Sequence, residues 1–98
     1  MTITKDAQGN TLNVAVAGRL DTTTAPELED VLKSSLDGVE DLRLDFKELE
    51  YISSAGLRVL LSTQKIMNKQ GKMTVCSVNS VVMEIFEVTG FSEILNIE

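Results

Sequence analysis

The chain has 98 residues, 43% of them apolar, and a formal net charge of −6. That length makes one domain, residues 1–98, with one modest core, since compact domains cluster at roughly 100–150 residues. Histidine and tryptophan are absent and cysteine occurs once, which removes the commonest general base and metal ligand, while the acidic balance disfavours nucleic acid and anionic membranes.

Ile3 to Lys5 reads as a short first strand, turned at Gln8-Gly9-Asn10. Leu12 to Gly18 sets Leu12, Val14 and Val16 on one face and predicts a second strand returning as a hairpin. The first helix follows Thr22–Thr24. Thr24 and Glu27 fit a capping box, while Pro26 also suits a first helical position with the cap one residue later. Leu28, Val31, Leu32 and Leu36 fall at helical spacing, and Asp37-Gly38 closes the helix.

Leu42, Leu44 and Phe46 alternate as a strand. After Lys47–Tyr51, a long helical pattern opens at Ile52-Ser53-Ser54 and runs to Gln70, where Gly71 stops it. Leu57, Leu60, Leu61 and Met67 are its core or interface stripe. Lys72 to Ser77 is the next strand. Asn79 or Ser80 caps a short helix carrying Val82, Ile85 and Phe86, stopped by Gly90, and Phe91–Ile97 ends as a short strand or turn. The order β-β-α-β-α-β-α-(β) predicts an α/β domain, a mixed, mostly parallel β-sheet backed by helices through right-handed crossovers.

Catalytic and metal chemistry find little support. Cys76 lies in the apolar-rich run Met73–Val78 and reads as a buried structural thiol. Asp45, Glu48 and Glu50 cluster without histidine and read as solvated acids, so no metal site and no bound cofactor are expected. Tyr51, Phe46, Phe86 and Phe91 are the only aromatic residues, too few for a nucleic-acid stacking platform. No apolar run approaches the roughly 18–20 residues that span a bilayer, and Met1–Asp6 has no signal-peptide core. The expected compartment is the cytoplasm and the expected state a monomer.

Ser53-Ser54-Ala55-Gly56-Leu57 is the most informative stretch. It follows a strand and opens a helix, where free backbone N–H groups and the helix dipole favour a serine cap or an anion. Glycine in a first turn costs about 1 kcal/mol against alanine, so something in the fold has to offset Gly56. Locally, two readings stand: serines that cap a helix, or a serine that accepts phosphate at a docking surface.

The stretch Leu42–Leu61 strongly resembles the STAS domain of bacterial anti-sigma-factor antagonists. Gly18-Arg-Leu-Asp21 resembles that family's other signature, and Met73–Ser77 with Phe86–Phe91 match its later pattern, so the likeness covers essentially the whole chain. The resemblance implies a binding protein, not an enzyme. Its partner would be an anti-sigma factor that is also a serine kinase and that holds the ATP and Mg²⁺. Binding would free a sigma factor, and serine phosphorylation would end the binding. Aligned on Gly56-Leu57, the family's usual Asp-Ser-Ser/Thr-Gly-Leu falls on Ser53-Ser54-Ala55-Gly56-Leu57. Ser54 is the expected acceptor and Ser53 the reserve. Ala55 cannot be phosphorylated, so where the family modifies the second hydroxyl the switch would be altered or absent.

Asp21 matches the family's acidic position near the phosphosite, and also suits a turn or a helix cap. The expected partner-binding set is Asp21, Thr22, Thr23, Ser53, Ser54, Ala55, Gly56, Leu57 and Arg58. Two rival readings remain. One is a STAS-like scaffold subunit of a larger assembly, such as a lipid-transport ATPase or a stress-signalling complex, with no phosphorylation cycle. The other is a small nucleotide-binding or hydrolytic protein, disfavoured because no glycine-rich phosphate loop with lysine is present.

Overall fold

The computed structural model describes Met1–Glu98. In chain order the elements are β1 (Thr2–Gln8), β2 (Thr11–Leu20), α1 (Ala25–Ser35), β3 (Asp41–Asp45), β4 (Leu49–Ile52), α2 (Ser54–Asn68), β5 (Lys72–Cys76), α3 (Ser80–Thr89), α4 (Phe91–Ile94) and β6 (Asn96–Ile97). The sheet runs β1-β2-β3-β5-β6, with β4 beside the far end of β2. The β1–β2 hairpin is antiparallel and every other pairing is parallel. This is the α/β arrangement that the alternation of elements predicts.

Register explains the core. Leu12, Leu42 and Met73 lie side by side, as do Val14, Leu44 and Val75. Paired residues share a face of the pleat, so these rows form one apolar surface, and all six are buried. The chain steps in one direction across the sheet at each crossover. Right-handed connections therefore place α1, α2 and the α3–α4 pair over that surface. They cover it with Leu28 and Leu32, with Val59, Leu60 and Met67, and with Val82 and Phe86, all buried. The opposite face carries the rows Asn13, Arg43, Thr74 and Ala15, Asp45, Cys76.

Several local expectations change. β4 is a strand where the sequence suggests only a connection, and Phe91–Ile94 is a single helical turn before the two residues of β6. Cys76 is half-buried on the polar face, its sulfur 3.7 Å from Arg43 Nη2, and not a core thiol. Leu61 and Val31 are likewise only partly buried. The Thr24–Glu27 capping box does not form, because the Thr24 hydroxyl turns back to the loop, accepting from Asp21 N–H and donating to the Arg19 carbonyl, each at 2.8 Å. Asn79, by contrast, caps α3 through Oδ1, accepting from Val82 N–H at 2.8 Å.

Candidate functional site

Two loops meet at one end of the sheet because their strands are parallel neighbours. β2 ends at Leu20 and β4 at Ile52, and these two residues are paired. Asp21–Thr24 must therefore leave the sheet beside Ser53 and Ser54. Ser53 N–H confirms the junction by donating to the Leu20 carbonyl at 2.9 Å. The pairing is irregular here. A bulge sets Gly18 opposite Leu49 and Arg19 opposite Tyr51, leaving Glu50 as the extra residue. Arg19 thus lands on the face of Tyr51, with its guanidinium carbon 4.5 Å from the ring centroid, a cation–π contact.

Asp21 organises the first loop. Its Oδ1 accepts from Thr23 Oγ1 at 2.7 Å, Thr23 N–H at 3.0 Å and Thr24 N–H at 3.2 Å. Its backbone carbonyl accepts from Ala25 N–H at 2.8 Å. The carboxylate therefore satisfies Thr24 N–H, a donor at the mouth of α1 that the Glu27 side chain of a capping box would have served. The hydrogen bond from the Thr23 hydroxyl, helped by the loop amides, holds the Asp21 carboxyl below the ordinary carboxylate value of 3.8. A depressed carboxylate stabilises the fold above its ordinary pKa and loses that contribution as pH falls through the folded value. Asp21→Asn should accordingly melt below the wild type at neutral pH. The gap should close as pH falls below about 4, which thermal unfolding across a pH series measures.

The second loop separates its two serines. Ser53 precedes α2 in an extended conformation, with φ −100° and ψ 178°, and its side chain caps nothing. Its Oγ is buried and lacks a hydrogen-bond partner. Ser54, the first helical residue, is exposed. The reserve acceptor is therefore sealed from an approaching enzyme, and the expected one is open to it. Loss of a capping serine would cost about 1 kcal/mol. An unpaired buried hydroxyl is itself costly, so Ser53→Ala should be as stable as the wild type or up to about 1 kcal/mol more stable in denaturant unfolding.

Gly56 and Leu57 do not line the surface. Both are buried. A methyl group at Gly56 would come within 2.7 Å of Ile52 Cγ1 and of Leu20 Cγ. The glycine lets the first turn of α2 rest on the paired ends of β2 and β4, and this packing is what offsets its poor helix propensity. Arg58 is exposed, and Ala55 is partly buried against the core. With Thr22 they border a shallow hollow of about 250 Å³, completed by Ala25, Pro26, Glu29 and Val59 from the facing helices. Of the expected set, Thr22, Ala55 and Arg58 border this hollow; Asp21, Thr23 and Ser54 are their chain neighbours outside it, while the Ser53 hydroxyl, Gly56 and Leu57 are buried. Pro26 and Glu29 join the rim unforeseen, as Arg19 joins the first loop, stacked on Tyr51 and 4.0 Å from Asp21 Oδ2. Arg19 lies inside the Gly18–Asp21 signature, and nothing local marks the other two. No three histidine, cysteine or acidic side chains are placed to hold a metal ion.

The STAS domain family model matches residues 2–98. The chain belongs to the STAS domain family. It is 36% identical to the putative anti-sigma factor antagonist BtrV of Bordetella bronchiseptica, over 96% of this chain and 83% of that protein. It is 30% identical to the anti-sigma-B factor antagonist of Staphylococcus aureus, over 99% of this chain and 92% of that one. The crystal structure of an anti-sigma factor antagonist from Mycobacterium paratuberculosis superposes with a TM-score of 0.88. Sequence identity there is 24%, with 98% of this chain and 83% of that chain covered. No helix of this STAS domain is long and apolar enough to cross a membrane.

Proposed function

We propose that this STAS domain is a cytoplasmic anti-sigma-factor antagonist. In its unmodified form it docks onto an anti-sigma factor with serine-kinase activity, so that a sigma factor is released. The observation that carries the reading is the exposed Ser54 at the open mouth of α2, at the end of the sheet where paired Leu20 and Ile52 lead into the ordered Asp21–Thr23 loop and into α2. Named relatives at 30% and 36% identity over nearly the whole chain support it. The domain is the substrate in this scheme. The kinase supplies ATP, Mg²⁺ and the base that takes the serine proton, the γ-phosphoryl passes to Ser54 Oγ, and ADP leaves.

A phosphoserine brings about −1.5 to −2 charges and three acceptor oxygens to a contact packed around a neutral hydroxyl. Desolvation of that group and repulsion from acidic neighbours oppose rebinding. The test is incubation with the cognate kinase and ATP, followed by site mapping in the mass spectrometer. Phosphate on Ser54 alone is expected. Phosphate on Ser53 would overturn the acceptor assignment. Phosphate nowhere, with a transporter ATPase as the recovered partner, would favour the scaffold reading.

A further inference from the structure

The large apolar side chains left most exposed all belong to one region. Val81 is 52% exposed, Val88 80% and Ile94 47%, the first two on α3 and the third on α4, which packs against it. Val81 and Val88 lie seven positions apart, two turns of helix and about 10 Å, so they occupy the same side of α3. Between them runs a shallow groove of about 280 Å³, bordered by Val81, Glu84, Ile85, Val88 and Thr89. The Thr89 hydroxyl is already spent on the Ile85 carbonyl at 2.6 Å. The groove therefore offers apolar surface and one carboxylate, and it shares no residue with the hollow beside Ser54.

Charge selects the occupant. α3 and α4 carry Glu84, Glu87 and Glu93 and no lysine or arginine, and none of the three is in an ion pair, whereas Glu98 beyond them is held by Arg43 at 2.7 Å. Two copies meeting through this face would set Glu84 and Glu87 against their own equivalents, which is unfavourable. An anionic lipid surface would be repelled for the same reason. A helix with an apolar stripe and flanking lysines or arginines meets both demands, placing aliphatic anchors between Val81 and Val88 and cations over the glutamates. We propose that the outer face of α3 is a second docking surface, which takes a basic amphipathic helix of a partner protein and acts independently of the Ser54 rim.

The test is an amide NMR titration of the full labelled chain with a synthetic amphipathic helix of leucine and lysine, with a leucine–glutamate helix as control. Resonances of residues 81–89 should shift with the basic peptide only. Val88→Lys should weaken binding about tenfold, and Glu84→Lys comparably. Neither substitution should change the melting temperature materially, because both positions are exposed. The proposal is overturned if the shifts centre on Asp21 and Ser54, if the acidic peptide binds equally well, or if Val88→Lys binds like the wild type. It is also overturned if sedimentation finds a dimer that Val88→Lys dissociates, since the face would then belong to a second copy.

Discussion

Phosphorylation of Ser54 should weaken binding to the proposed anti-sigma kinase several-hundred-fold, a loss of about 3–4 kcal/mol, without unfolding the domain. Ser54→Glu should reproduce part of that effect, at least about tenfold, because glutamate brings one charge where phosphoserine brings nearly two. Ser54→Ala should keep affinity within about threefold and take up no phosphate, since a methyl group leaves an apolar, unstrained contact. The site sharpens this prediction. Ser54 is the first residue of α2, and no acidic side chain lies in that helix's first turn. An anion there meets the free amides and the positive end of the helix dipole, worth about 0.3–1 kcal/mol in favour of the folded state. Ser54→Glu should therefore melt at or slightly above the wild-type temperature while binding worse. Calorimetric titration with the kinase and a melting curve of the same sample separate the two. Equal affinity for wild type and Ser54→Glu would remove the switch from this hydroxyl.

The legible parts of the fold are those whose pattern is set by one neighbour. In β2, and in β3 with the residue that follows it, Leu12, Val14, Val16 and Leu42, Leu44, Phe46 alternate without interruption and are all buried. β4 hides for a physical reason. Its inward residues are Leu49 and Ile52, three apart, because the bulge against Gly18–Arg19 inserts Glu50 and shifts the parity of the pleat. A period of two fails there, and only the partner strand reveals why. α4 is equally opaque, being one turn that begins straight after Gly90, whose φ of +82° already ends α3.

Legibility at the site divides in the same way. The strand-to-helix setting of Ser53 and Ser54 and the importance of Asp21 are visible in the chain. Which hydroxyl faces solvent is not, because it depends on the residue at which helical geometry begins. The extended ψ of 178° at Ser53 turns its Oγ inwards and leaves Ser54 outside. Gly56 misleads in an instructive way. Its small size suggests room for an outside partner, yet the atoms that use the room are those of Leu20 and Ile52. The same glycine therefore fixes the mouth of α2 against the sheet and sets the angle at which Ser54 is shown.

Gly71→Ala should be the most damaging of the single-methyl changes, destabilising the domain by at least about 3 kcal/mol and lowering its melting temperature by more than about 10 °C. As a mere helix stop, Gly71 would tolerate alanine, and the smaller unfolded-state entropy would even favour it by about 0.4–1 kcal/mol. The surroundings reverse that expectation. A methyl group built on Gly71 would lie 1.8 Å from the Glu40 carbonyl oxygen, with the carbonyl carbon at 2.6 Å. That oxygen is not free to move, for it accepts from Lys72 N–H at 2.9 Å. Lys72 is paired with Asp41 at the start of the β3–β5 ladder, and Gly71 N–H donates to the Met67 carbonyl at 2.7 Å. Relief of the clash must therefore either lift the end of α2 or pull β5 away from β3, and both break backbone hydrogen bonds over the central rows of the core. Gly38→Ala is the control. Its position also lies at a turn, and a methyl group there has nothing within 4 Å, but φ is +78°, so its penalty is only left-handed strain of about 1–2 kcal/mol. Denaturant unfolding of the two variants side by side should rank Gly71→Ala well below Gly38→Ala. The reverse order would mean that the α2–β5 turn does not press on Glu40, and that Gly71 acts only as the helix terminator its sequence position suggests.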